Sequence, residues 1–164
     1  METAAAVRGE SYDLGSKAMG VAFWRGREPV HVGLVTLGYD SYAEQMFRFE
    51  RALVERWDFG LSKPDWVAYE GAGFAIKSRA QAAMHHGLAA ILNKVCFQHG
   101  VTLLEVPVAT AKKALSGRGN AKKDDMLAVA RARYPHLDIA AHDQADALGV
   151  GLAFLAAAEF EEET

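Results

Sequence analysis

His142-Asp143-Gln144-Ala145-Asp146-Ala147-Leu148-Gly149 heads a long apolar run that continues through Val150, Ala153, Phe154 and Ala157. Asp143 and Asp146 are three residues apart, so on a helix they share one face, and the apolar stripe continues that face. The two carboxylates therefore point with the buried side rather than toward bulk water. Bare carboxylates near a core repel each other and are costly to desolvate. A divalent cation held by oxygen ligands offsets that cost. The alternative is a first helical turn in which aspartate meets the positive end of the helix dipole. Both readings stand on this stretch alone.

Length and composition narrow the frame. A chain of 164 residues, 1–164, reads as a single domain large enough for a proper core, with residues 1–9 and 159–164 expected to be loose. The lone Cys96 excludes a disulfide framework and points to a reducing compartment. There is neither an uninterrupted apolar run of about eighteen residues nor a basic, then apolar, leader, so the expectation is a soluble cytoplasmic protein with no membrane partner. The net charge of -3 argues against a chain coated in polyanion-binding surface. Its distribution is uneven, however. From Lys77 to Arg133 there are ten Lys or Arg against Glu105, Asp124 and Asp125, while Glu159, Glu161, Glu162 and Glu163 crowd the tail. A locally basic face on an acidic protein permits a polyanionic partner.

Working back from the quoted stretch, the chain alternates strands and helices. Residues from Glu10 lead to a strand end at Asp13, and Gly20–Trp24 and Val30–Leu37 read as strands joined by a tight connection, with Val30, Val32 and Leu34 on one side. Ser41 and Glu44 form a capping box before a helix from Tyr42 to Trp57 carrying Met46, Phe49, Leu53 and Trp57 on one face. Trp66–Tyr69 is a short strand that delivers Glu70. A helix follows from Ser78 to His99, stopped by Gly100, then an apolar strand over 101–106 and helices near 109–115, 121–133 and from His142. The order β-β-β-α-β-α-β-α-α-α predicts an α/β fold: a mixed five-stranded sheet, three antiparallel strands first, with helices on both faces.

In that topology Asp13 and Glu70 both end strands, where ligands bind in open α/β sheets, and the last helix can lay Asp143 and Asp146 across the same edge. Four carboxylates meeting there suit two Mg²⁺ ions about 3.5–4 Å apart, the clamp used for in-line phosphodiester hydrolysis.

These residues also resemble a known family. Asp13-Leu14-Gly15-Ser16 with Gly20 looks like the first signature of RuvC-type Holliday-junction resolvases, of the RNase H-like superfamily. Val67-Ala68-Tyr69-Glu70 resembles the strand with their second acid, Lys112 through Lys123 their lysine and glycine segment, and Asp143-Gln144-Ala145-Asp146-Ala147-Leu148 their final motif. Each motif is weak, but four in order across residues 10 to 155 are jointly specific. The resemblance implies a homodimeric endonuclease that cuts four-way DNA junctions by paired nicks. Asp13, Glu70, Asp143 and Asp146 would be the catalytic, metal-binding acids, with Mg²⁺ as cofactor and Mn²⁺ able to substitute. Lys112, Lys123, Arg118 and Phe74 would contact DNA, Phe74 as a wedge or, alternatively, as a loop core residue. Two departures stand out: Arg8-Gly9-Glu10-Ser11-Tyr12 is polar where the family is apolar, and Leu14 replaces proline. The short chain and its start are compatible with a phage or viral member, which would act in the host cytoplasm.

Competing readings remain open. A nuclease of the same fold acting on other branched DNA or on RNA–DNA hybrids is the nearest rival, followed by a non-catalytic DNA-binding member. An actin-like ATPase would need two such lobes. Lys113 and Lys122 read as solvated surface, and His85 and His86 as surface or interface rather than metal ligands. His142 reads as helix-start packing ahead of a proton-transfer or metal-tuning role, and the stripe Ala83, Met84, Gly87, Leu88, Ile91, Leu92 and Val95 is wide enough for the sheet and a second copy, though a plain core helix explains most of it.

Overall fold

Arg8–Asp13 forms β1, the middle strand of a five-stranded sheet ordered β3-β2-β1-β4-β5, antiparallel to β2 (Met19–Arg25) and parallel to β4 (Trp66–Glu70). β3 (Glu28–Val35) and β5 (Thr102–Val106) are the edges. The helices are α1 (Tyr42–Phe59), α2 (Arg79–His99), α3 (Val108–Ser116), α4 (Lys123–Arg133) and α5 (His142–Glu162). This computed structural model describes residues 6–15, 17–38, 41–59, 63–73 and 78–162. The predicted element order and mixed sheet are both present.

Strand alternation divides the interior in two. Ala22, Trp24, Trp66 and Ala68 face α3, α4 and α5, where Phe154 stacks on Trp66 with ring centroids 4.1 Å apart. Tyr12, Val21, Val67 and Tyr69 face α1 and α2, against Phe49, Leu53, Leu88 and Leu92. The predicted capping box is formed: Ser41 N–H and hydroxyl both donate to Glu44 at 3.0 Å, and Glu44 N–H donates back to Ser41 Oγ. Ser78 accepts from Gln81 N–H, and Gly100 ends α2 at φ 63, a left-handed conformation that favours glycine.

Glu10 and Ser11 of β1 are buried with partners. Ser11 Oγ donates to the Ala147 carbonyl at 2.7 Å and accepts from Trp24 Nε1 at 2.8 Å. On the other face, Glu10 is 2 % exposed and takes hydrogen bonds from Tyr12, Trp57 and Arg56. Each group exchanges water for a protein partner, which is the condition for burying it.

Several details differ from expectation. The strand begins within the stretch expected to be loose, at Arg8, whose N–H donates to the Asp65 carboxylate at 2.7 Å. In β3 a register shift between Phe23 and Trp24 leaves Val30 exposed between buried Pro29 and Val32, and Leu34, on the same side of this edge strand as Val32, is exposed as well. β5 lies at an edge, which leaves Leu104 exposed in a strand read as apolar but for Glu105. At the far end of α5, Ala157 is exposed rather than part of the stripe. The helix itself persists to Glu162, and Glu159 pairs with Arg27 on the hairpin between β2 and β3.

Candidate active site

Tyr12 and Tyr69 are the last paired residues of β1 and β4, so Asp13 and Glu70 are the next residues on adjacent parallel strands. Alternation puts Asp13 on the Ser11 side and Glu70 on the Ala68 side, both toward α5. α5 comes down on this edge because glycine permits it. Gly20, the β2 partner of Asp13, has no Cβ, and one there would overlap the main-chain carbonyl of Asp143. Ser11 holds the same helix one turn further along, at Ala147. Gln144, next to Asp143, ties down the start of α5: its Oε1 accepts from Ala140 and Ala141 N–H at 2.8 and 2.9 Å. Asp143 and Asp146 therefore lie on the sheet edge. Asp146 is 7 % exposed and Asp143 partly open.

All four acids line one cleft of about 330 Å³ together with Lys112, Lys123, Gln81 and His85. Their electrostatics are mutual. Burial, then Glu70, Asp146 and Asp143, push the Asp13 carboxyl well above the usual carboxylate range, against which Lys123 works. Glu70 is pushed up to about 7, by burial first and then by Asp146, with Lys112 and Lys123 opposing. Asp146 is also raised by burial, with Lys123 as the main opposing charge and Asp143 adding to the rise. The cluster thus carries more negative charge than its two lysines balance.

The donor set fits a hard divalent cation, since it consists of carboxylate oxygens on three elements around a partly open cleft. Among the described residues no three such groups are drawn together into a ready-made cage. His85 is not in the donor set, because Nε2 is committed to the Glu70 carbonyl at 2.8 Å and Nδ1 is buried.

The other residues singled out from sequence fall as follows. Lys112 and Lys123 line the cleft. Arg118 is exposed and pairs with Asp125 at 3.2 Å, outside the cleft lining. Lys113 and Lys122 are exposed, as is His86. His142 Nε2 lies 2.9 Å from Asp124 Oδ1, at the helix start. Phe74 and Ser16 lie outside the described residues. His85 departs from the surface reading: it is partly buried and part of the cleft wall. Sequence reasoning also passed over Gln81. The signal was present, since Gln81 and His85 stand at helical spacing at the head of the buried stripe Leu88, Leu92 and Val95, much as Asp143 and Asp146 head theirs.

No family model matches this chain. Solved structures of Holliday junction resolvases nonetheless share its fold. The yeast mitochondrial Holliday junction resolvase superimposes with a TM-score of 0.62 at 14% identity, covering 92% of this chain and 78% of that one. The fold is also similar to that of RuvC. Thermus thermophilus RuvC, solved in complex with a Holliday junction substrate, gives a TM-score of 0.79 at 19% identity over 94% of this chain and 96% of that one. In sequence, a 101-residue stretch is 34% identical to the crossover junction endodeoxyribonuclease RuvC of Sorangium cellulosum (strain So ce56). That stretch covers 59% of this chain and 54% of the relative, so the match spans about half the length of the curated relative. The resemblance carried by the four motifs is therefore matched by independent likenesses in sequence and in fold. Among the described residues no helix is long and apolar enough to cross a membrane.

Proposed function

We propose that this protein is a divalent-metal-dependent endodeoxyribonuclease that resolves four-way DNA junctions, acting as a homodimer that places two paired nicks. One observation carries the reading: Asp13, Glu70, Asp143 and Asp146 line a single cleft with Lys112 and Lys123. The RuvC fold and the RuvC-like sequence stretch support it.

The four acids would hold two Mg²⁺ ions, or Mn²⁺ in their place. When bound, such ions supply an activated water and stabilise the leaving 3′ oxygen. The chain's own residues do the rest. Lys112 and Lys123 attract and orient the phosphate without reading sequence. Ser11, Gly20 and Gln144 fix α5, and with it Asp143 and Asp146, against the strand ends that carry Asp13 and Glu70. Arg118, exposed and free to exchange Asp125 for phosphate, extends the basic rim. A junction with two-fold symmetry needs two such clefts, and each chain supplies one.

The test is a gel assay on a four-way junction, fork, flap, duplex and RNA–DNA hybrid, with Mg²⁺ and with EDTA. Symmetric nicks in opposing strands of the junction, absent in EDTA, are expected. Preferential cutting of hybrid or flap would replace the junction reading with its nearest rival. Light scattering of the free and junction-bound protein checks the dimer, and a monomer in both states would refute it.

A further inference from the structure

Glu70 is the last residue of β4, and the peptide that follows it leaves the sheet. The Gly71 N–H of that peptide donates to the Val106 carbonyl on β5 at 2.8 Å. In a trans peptide the carbonyl points the opposite way, so the Glu70 oxygen faces toward β1, beyond the final Tyr12–Tyr69 pair. No further β1–β4 pair follows to bond it. The donor comes instead from α2: His85 Nε2 lies 2.8 Å from the Glu70 oxygen. A carbonyl only accepts, so Nε2 carries the proton. Among the described residues Nδ1 is buried and without a partner, which makes this bond the ring's single polar anchor. The ring is set by packing, 6.4 Å from the Tyr69 ring and 5.8 Å from that of His86, on a helix seated in the core through Leu88 and Leu92.

We propose that His85 is a positioning residue for Glu70. By holding the final peptide of β4 from the α2 side, while Val106 holds it from the β5 side, it fixes the direction in which the Glu70 side chain enters the cleft. The inference rests on the reading of Glu70 as a metal ligand. Outer groups that orient a ligand matter nearly as much as the ligand, because a site loose by a fraction of an ångström binds its ion poorly.

Mn²⁺ titration of the full chain, read by the electron paramagnetic resonance of the free ion, tests it without reference to cleavage. His85→Phe keeps a ring beside Tyr69 but has no donor, whereas His85→Gln retains an N–H. The Phe variant is expected to bind Mn²⁺ about tenfold more weakly than wild type, with its melting temperature in EDTA and its junction affinity in EDTA unchanged. The Gln variant is expected to stay within about threefold of wild type. Wild-type affinity in His85→Phe, or equal loss in both variants, overturns the proposal. If His85→Phe does not fold, His85→Met takes its place as the donor-free variant in the same comparison. Glu70→Gln is titrated alongside. Unchanged Mn²⁺ binding in that variant would defeat the metal reading of Glu70 itself, whatever the His85 variants do.

Discussion

Glu70→Gln separates a residue kept for chemistry from one kept for stability. The carboxyl of Glu70 is pushed from the ordinary value of 4.5 up to about 7 in the folded chain. Each unit of such a shift corresponds to about 1.4 kcal/mol between the two protonation states, so the ionised form costs roughly 3 kcal/mol in metal-free protein. The sign follows from proton counting. Between pH 4.5 and 7 the folded chain holds a proton that the unfolded chain has lost, so stability falls as pH rises through that window. The cost is complete above pH 7 and absent below about 4.5. Glutamine has nearly the same shape and no charge. At pH 8 in EDTA the variant should therefore be more stable by about 2–3 kcal/mol, roughly 5–10 °C for a chain of this size, with the advantage gone by pH 4.5. Circular-dichroism melts from pH 4.5 to 8 measure this directly. Adding Mg²⁺ should stabilise wild type more than the variant and narrow the gap. Nicking of a four-way junction should be lost while binding persists. A variant no more stable than wild type at pH 8 without metal would refute the argument, because burying this charge beside Asp146 would then not be a real cost.

Three further outcomes follow from the same geometry. Gly20→Ala puts a methyl group onto the Asp143 carbonyl, so α5 must shift; lost nicking and a lower melting temperature are expected, read by junction cleavage and thermal melts. Lys112→Ala and Lys123→Ala should each weaken junction binding and reduce the slope of log affinity against log salt by about one; unchanged slopes would return both lysines to ordinary surface. Glu10→Ala should behave oppositely to Glu70→Gln. It removes the acceptor shared by Tyr12, Trp57 and Arg56 and should cost about 3–5 kcal/mol in denaturant unfolding, because it leaves the Arg56 charge without its carboxylate.

Much of this was legible beforehand because it rests on local rules. Apolar periodicity, Ser41 with Glu44, and Gly100 mark elements through backbone preferences that operate within a few residues. The four acids were legible for a different reason, since charge placed at strand ends and on the apolar face of a helix has few structural excuses. What escaped depends on contacts far apart in the chain. His85 gave no hint that its partner is a main-chain oxygen fifteen residues earlier. The polar β1 looked like a weak strand because Arg56 and Trp57 arrive from a helix more than forty residues on. The exposure of Val30 is set by the pairing of β2 with β3, whose register shifts between Phe23 and Trp24.

The parallel pairing of β1 with β4 also has a temporal consequence. Asp13 and Glu70 become neighbours only after a crossover has closed between them, and α5 must then settle across both strands. Such long loops close slowly and gain contacts late. During synthesis, a ribosome that has released the sheet and α2 has not yet released residues 142–162, so the cleft lacks half of its carboxylates. A nascent chain stalled at that stage holds Asp13 and Glu70 without Asp143 and Asp146, so the four-acid cleft cannot yet form.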